Sequence, residues 1–147
     1  MTQSVHMFTK ILVAIDGSQS SMSAVKYGAT LANDYKASIV IVNVVDLSSI
    51  FKILPVKTKK QLIRLGVQES HRILDIAKNM TNNINVKTEV IESSMSAGNA
   101  IIDYSKRRGI DLIVIGAGKK SRIEKTLLGT VATKIVSNAA CPVLVVR

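Results

Sequence analysis

IGAGKKSRIEKTLLGTV, residues 115–131, joins two segments of opposite character. Upstream lies Leu112 to Ile115, a wholly apolar run. Downstream, Leu128, Val131, Ala132, Ile135 and Ala139 recur at the three-four spacing of a helix. Between them stand Gly116 and Gly118, then a basic polar segment, then Gly129 and Thr130. A strand, a glycine-bearing loop and a helix start, in that order, describe an anion-binding corner. Glycine lets backbone N–H groups approach a ligand with no Cβ in the way, and the first free N–H groups of a helix carry the positive end of its dipole. A surface loop whose glycines only make turns would show the same local pattern.

The flanking chain supplies the layers that such a corner needs. Lys10 to Ile15 (KILVAI) is a short apolar run ending at Asp16-Gly17-Ser18, and Ser38 to Val45 (SIVIVNVV) is a second, rich in β-branched residues and ending at Asp46. Continuous apolarity of this kind predicts strands buried on both faces, as in parallel sheets covered by helices. Ser18, Ser20 and Ser21 offer N-caps for a helix to about Asp34. Beyond a loop containing Pro55, Ile63, Val67, Ser70, Leu74 and Ala77 mark a long helix that Asn82 and Asn83 end. Val86 to Glu92 alternates and so predicts a strand nearer an edge; Ser96 caps a short helix to Lys106 that Gly109 closes. After the last helix Pro142 interrupts, and Val143 to Val146 form a final strand. The order β-α-β-α-β-α-β-α-β predicts an α/β three-layer sandwich with a mostly parallel five-stranded sheet, helices on both faces and right-handed crossovers. No repeat or linker divides it, so residues 1–9 read as a flexible leader and 10–147 as a single domain.

In such sheets a ligand lies outside the carboxyl ends of the strands where the strand order reverses. Asp16 follows the first strand, Val44 and Asp46 end the second, and the Gly116 loop follows the fourth. Asp16 has a second reading, closure of a turn with Gly17 through its side chain. Two well-known phosphate motifs do not fit. A Walker A loop requires a glycine where Ile113 stands, and the dinucleotide fingerprint requires one at Ser121.

Composition narrows the classes. With 47% hydrophobic and 20% charged residues the chain is globular, yet only 3% are aromatic, so the core is aliphatic and surfaces for stacking bases are scarce. The net charge of +10 attracts polyanions, and much of it lies in Lys52 to Arg72 and Lys106 to Lys125. Neither cluster interleaves aromatics or forms a recognition helix; both read as solvated basic faces, which disfavours nucleic acid. No apolar run approaches the length of a membrane span and the amino terminus lacks a signal-peptide core, so a cytoplasmic protein without membrane association is expected. Cys141, the single cysteine, excludes an internal disulfide and reads as a small buried hydrophobe. His6 and His71 have no metal-ligand spacing, and no metal site is expected.

The motif that does fit is G-x2-G-x9-G-[S/T] after the fourth strand. Together with KILVAIDGS (10–18), IVNVVD (41–46), GIDLIVIGAG (109–118) and LLGTVATKIVSNAACPVLVV (127–146), it makes the chain resemble the universal stress protein family over nearly its whole length. The resemblance implies the strand order 3-2-1-4-5 and a site for an adenine nucleotide, ATP or AMP, with Mg²⁺ only beside a bound triphosphate. It implies that Asp16 meets the adenosine part, with Ala14 the small residue beside it and Val44 lining the base pocket. Gly116 resembles the first motif glycine; Gly129 and Thr130 resemble the closing pair that holds phosphates, with one further backbone N–H from Val131. Counting places Lys119 where the second glycine belongs, with Gly118 one position early. A lysine at a left-handed position costs roughly 1–2 kcal/mol, whereas its ammonium could itself pair with a phosphate. Both readings of Lys119 stay open.

The resemblance also implies a homodimer through Val143 to Val146, an uncharged strand that would otherwise leave an open edge. The functional expectation is a stress-response sensor or regulator and not an enzyme, since the sequence places no general base, although slow ATP hydrolysis is a further reading left open. The alternative is a dimeric interaction module of the same family that holds no nucleotide. A non-specific polyanion binder rests on net charge alone.

Overall fold

The computed structural model describes residues 7–48, 53–82, 85–118 and 128–147. Five strands and four helices alternate along them: β1 (Lys10–Ala14), α1 (Gln19–Tyr35), β2 (Ser38–Asp46), α2 (Val56–Asn79), β3 (Val86–Ser93), α3 (Ala97–Arg107), β4 (Leu112–Gly116), α4 (Thr130–Asn138) and β5 (Val143–Val146). The strands form one sheet in the order β3-β2-β1-β4-β5, and every neighbouring pair is parallel.

Handedness follows from that order. The connections through α1 and α2 step from β1 to β2 to β3 in one direction; those through α3 and α4 return to β4 and on to β5. Right-handed crossovers therefore put the first pair of helices on one face of the sheet and the second pair on the other. Alternate residues of each strand face the two layers. Ile11 and Val13 pack with Val25, Leu74 and Ala77, while Leu12 packs with Ile101, Ala132 and Ile135. Ile11, Leu12 and Val13 of the central strand have no exposed surface at all, which is why their stretch reads as continuously apolar instead of alternating.

Boundaries differ from the sequence reading where hydrogen bonds intervene. Helix α2 ends at Asn79, before Asn82, with the Met80 N–H turning back to the carbonyls of Ile76 and Ala77. Leu128 lies outside α4, because the N–H of Gly129 donates to the Ala117 carbonyl at 2.7 Å and holds the chain off the helical path until Thr130. Ser96 stands at the N-cap of α3 but makes no capping bond; the Asp46 carboxylate accepts from Ala97 N instead, at 3.2 Å.

The start of β1 is held from the far side of the chain. Asp111, just before β4, accepts from Thr9 N and Thr9 Oγ1 at 2.8 Å and from Lys10 N at 3.0 Å, and its own N–H donates to the Lys10 carbonyl. Phe8 adds an edge-on ring contact with Tyr35, so the two residues before β1 are anchored. Burial raises the Asp111 carboxyl pKa, but the bonds from Thr9 and Lys10 outweigh it and hold the group below 3.8, its ordinary value. A depressed carboxyl contributes stability above its unfolded pKa and loses it as pH falls through the lower folded value. Asp111→Ala is expected to cost about 1–2 kcal/mol in urea melts at neutral pH. The difference from the native chain should shrink below about pH 4.

Candidate functional site

At the carboxyl ends of β1, β2 and β4 the order reverses, since the chain leaves β1 towards one face and enters β4 from the other. A cavity of about 330 Å³ opens there. Ala14, Asp16, Val44, Gly116, Gly118, Gly129, Thr130 and Val131, all singled out from the sequence, line it together. Lys119 falls in residues 119–127, outside the described residues.

Asp16 is fixed by its neighbours on both sides. Ile15 N donates to the Val42 carbonyl at 2.9 Å and the Asn43 amide donates to the Ile15 carbonyl at 2.6 Å, tying the end of β1 to β2. Asp16 N reaches Ser21 Oγ at 3.3 Å, and its carboxylate accepts from Ser18 N at 2.8 Å. The turn predicted for Asp16 and Gly17 thus exists, with Gly17 at φ +83°, and coexists with the carboxylate's place on the cavity wall. Burial raises the Asp16 pKa, yet hydrogen bonds from Ser18 and Ser21 prevail and lower it overall, so the group is ionised at neutral pH. Among the described lining residues it alone is charged.

All four described helices start at this end of the sheet, and the three whose amino termini reach the cavity, α1, α3 and α4, are treated differently. In α1 the Ser18 hydroxyl accepts from Ser21 N. In α3 the Asp46 carboxylate accepts from Ala97 N, and its bonds with Ser48 hold that carboxyl below its ordinary pKa. In α4 the N-cap is Gly129, which has no side chain to offer. The first intrahelical bond there is Thr133 N to the Gly129 carbonyl at 2.9 Å. The N–H groups of Thr130, Val131 and Ala132 precede it, and all three residues line the cavity. An anion entering the cavity therefore meets one helix start that no side chain of the described residues already occupies.

The two loop glycines have distinct tasks. Gly116 lies against α1: a Cβ there would stand 2.5 Å from Ser21 N and 2.6 Å from Ser20 C and Oγ. Gly118 has φ +96°, donates its N–H to Ser20 Oγ at 3.3 Å, and passes so close to Gly129 that a Cβ would be 3.1 Å from its Cα. Gly118, which counting placed one position early, is thus itself left-handed. The reading of Lys119 itself lies outside the described residues.

The opposite wall is apolar. Val42 and Val44 from β2 line it together with Ile101 and Ala97 from α3. Ile101 and Ala97 were not singled out from sequence, since nothing local says that α3 packs beside β2. Asn43 was also passed over, although one amide within an apolar strand was a visible signal. Among the described residues no group of three or more His, Cys, Asp or Glu is placed to hold a metal ion.

The sequence matches the model of the Universal stress protein family over residues 7–147. A universal stress protein of Methanocaldococcus jannaschii is 35% identical, the alignment covering 97% of this chain and 84% of that protein. Among solved structures, universal stress protein UspA from Lactobacillus plantarum superposes with a TM-score of 0.79 at 27% identity, covering 95% of this chain and 98% of the other. A universal stress protein family protein from Arabidopsis thaliana with AMP bound has the same fold, at a TM-score of 0.63 and 21% identity, covering 94% and 90%. Gly116→Ala, which forces a methyl group into the backbone of α1, is expected to destabilise the protein by about 1–3 kcal/mol, measured as a lowered melting temperature.

Proposed function

Because the chain belongs to the universal stress protein family, we propose that it binds an adenine nucleotide and acts in the cytoplasm as a sensor or regulator of stress, not as an enzyme. The observation that carries this reading is one cavity with three chemically different parts. An apolar wall of Val42, Val44 and Ile101 suits a purine, a carboxylate at Asp16 suits sugar hydroxyl donors, and the uncapped start of α4 suits phosphate. Ala14 at the end of β1 is small enough to leave room for the ligand, and the Thr130 hydroxyl adds a donor to the backbone N–H groups of Thr130 and Val131. ATP and AMP are the ligands this division favours, with Mg²⁺ accompanying only the triphosphate. The family protein with AMP bound supports the ligand class.

Rapid hydrolysis is not expected. No histidine and no second carboxylate lines the cavity among the described residues, and Asp16, already accepting a hydrogen bond and holding a lowered pKa, is a weak base. Calorimetric titration with ATP, AMP and cyclic AMP tests the proposal. Asp16→Ala should weaken binding by about tenfold or more, the worth of a hydrogen bond to a charged group. Lys119→Gly separates the two readings of that lysine: ATP binding weakens several-fold where its ammonium pairs with a phosphate and tightens where its side chain crowds one. Absence of heat at millimolar nucleotide would remove the proposal and leave the family's interaction-module alternative.

The sheet order favours a homodimer through Val143 to Val146. Strand β5 is an edge, and Val143, Leu144 and Val145 remain only partly buried. The carbonyls of Pro142 and Val146 accept bonds from the β4 side, so by alternation the N–H and C=O of Val143 and Val145 point to the open edge. Val145→Pro removes one outward N–H without touching the β4 ladder. Light scattering should show the native chain as a dimer and this variant as a monomer.

A further inference from the structure

Helix α2 carries its charge in an unfavourable place. From Ile53 to Gln68 the chain has four cations, Lys57, Lys59, Lys60 and Arg64, and no acidic residue. The first turn of α2 contains no acid, and its N-cap, Pro55, makes no side-chain bond to the free N–H groups. Cations at a helix amino terminus add to the positive end of the dipole and oppose helix formation. No ion pair among the described residues relieves Lys57, Lys60 or Arg64, all of which are exposed, whereas further along the same helix Arg72 is paired with Glu69.

The same end of the molecule exposes aliphatic side chains. Ile53 is 92% exposed, Val56 68% and Leu65 51%, with Leu54 and Leu62 at 39% each. Lys57, Lys60 and Arg64 recur at three-four spacing and form one stripe on the solvent side of α2; Leu62 and Leu65 form a second. Ile63, Gly66, Val67 and Ser70 turn the remaining face towards the sheet. A solvated basic face, the reading from sequence, leaves these five apolar side chains unaccounted for.

We propose that the amino-terminal half of α2, from Ile53 to Leu65, docks on an anionic lipid surface. Aliphatic tips enter the headgroup boundary while Lys57, Lys60 and Arg64 lie against the acidic headgroups, the division of labour of an interfacial amphipathic helix. The charge excludes a second copy of the same surface as the occupant, because Lys57, Lys60 and Arg64 of each copy, six cations in all, would face each other unrelieved. The lack of any aromatic residue from Ile53 to Gln68 leaves bases nothing to stack on, which ranks nucleic acid below lipid. The surface lies outside the nucleotide cavity and shares none of its lining residues, so the proposal stands apart from nucleotide binding.

Co-sedimentation with vesicles tests it, using phosphatidylcholine and phosphatidylglycerol in equal parts against phosphatidylcholine alone. The native chain should sediment with the mixed vesicles at low ionic strength, release with added salt, and ignore the neutral ones. Reversing Lys57, Lys60 and Arg64 to Glu together should lower the affinity by roughly a hundredfold or more, at about 1 kcal/mol per cation at the surface. Ile53→Ser with Val56→Ser and Leu65→Ser should lower it by about tenfold or more while leaving salt sensitivity intact. Because all six positions are exposed, both triple variants should melt like the native protein. Three results overturn the proposal: no sedimentation with the mixed vesicles, native-like sedimentation of the charge-reversed chain, or native-like sedimentation of the serine variant. Charge-dependent binding to double-stranded DNA without vesicle binding overturns it in favour of a nucleic-acid surface.

Discussion

A parallel strand pair can be closed only by a crossover, and the right hand of that crossover decides on which face each helix of this chain lies. With β1 at the centre of the sheet, the chain winds outward over one face as far as β3 and then crosses to wind outward over the other. Everything at the cavity depends on that reversal. It separates the start of α1 from the starts of α3 and α4 and leaves open space above the end of β1. Asp111 supports the same arrangement from the opposite end of the strand, where one carboxylate fixes the entry of β1 beside that of β4.

The chemistry of the cavity comes less from reactive side chains than from which backbone groups are already satisfied. Ser18 and Asp46 cap their helices from within the protein, so the positive ends of α1 and α3 are partly neutralised before any ligand arrives. Gly129 leaves that of α4 unopposed, and Gly118 lets the loop after β4 approach it closely enough to share its surface. A glycine at an N-cap usually weakens a helix relative to serine or aspartate by a few tenths of a kcal/mol. Here the absence of a side chain leaves the start of α4 open to the cavity.

Charge is distributed with a similar division. The described cavity wall holds one ionised group, Asp16, while no cation of the described residues lines it. On α3 part of the positive charge is engaged: Arg108 stacks over the Tyr104 ring at 5.2 Å and pairs with Glu89 at 3.5 Å. Burial and the Glu89 carboxylate push the Tyr104 hydroxyl up to about 12, so it remains a donor at any physiological pH. At the start of α2 no ion pair among the described residues engages Lys57, Lys60 or Arg64, and helix and side chains there present a concentrated positive surface.

Element type and order were legible in the sequence because both depend on local periodicity: KILVAI and SIVIVNVV can be apolar throughout only if both faces are covered, and Ile63 to Ala77 repeats at the helical period. Asp16, Val44, Gly116 and Gly129 were legible for a related reason, since each stands at a strand end or helix start and the reversal of strand order brings such ends together. What the sequence could not determine was which hydrogen-bonding groups remain unpaired. Asp46 and Asp16 look equivalent as acids after consecutive strands, yet Asp46 turns to a helix 51 residues away and Asp16 stays on the cavity wall. Counting treats Gly118 as one position early, yet it is left-handed in its own right, and its N–H is held by Ser20 from 98 residues away. Periodicity is a property of neighbours along the chain. The pairing of donors and acceptors is a property of neighbours in space, and only the tertiary structure decides it.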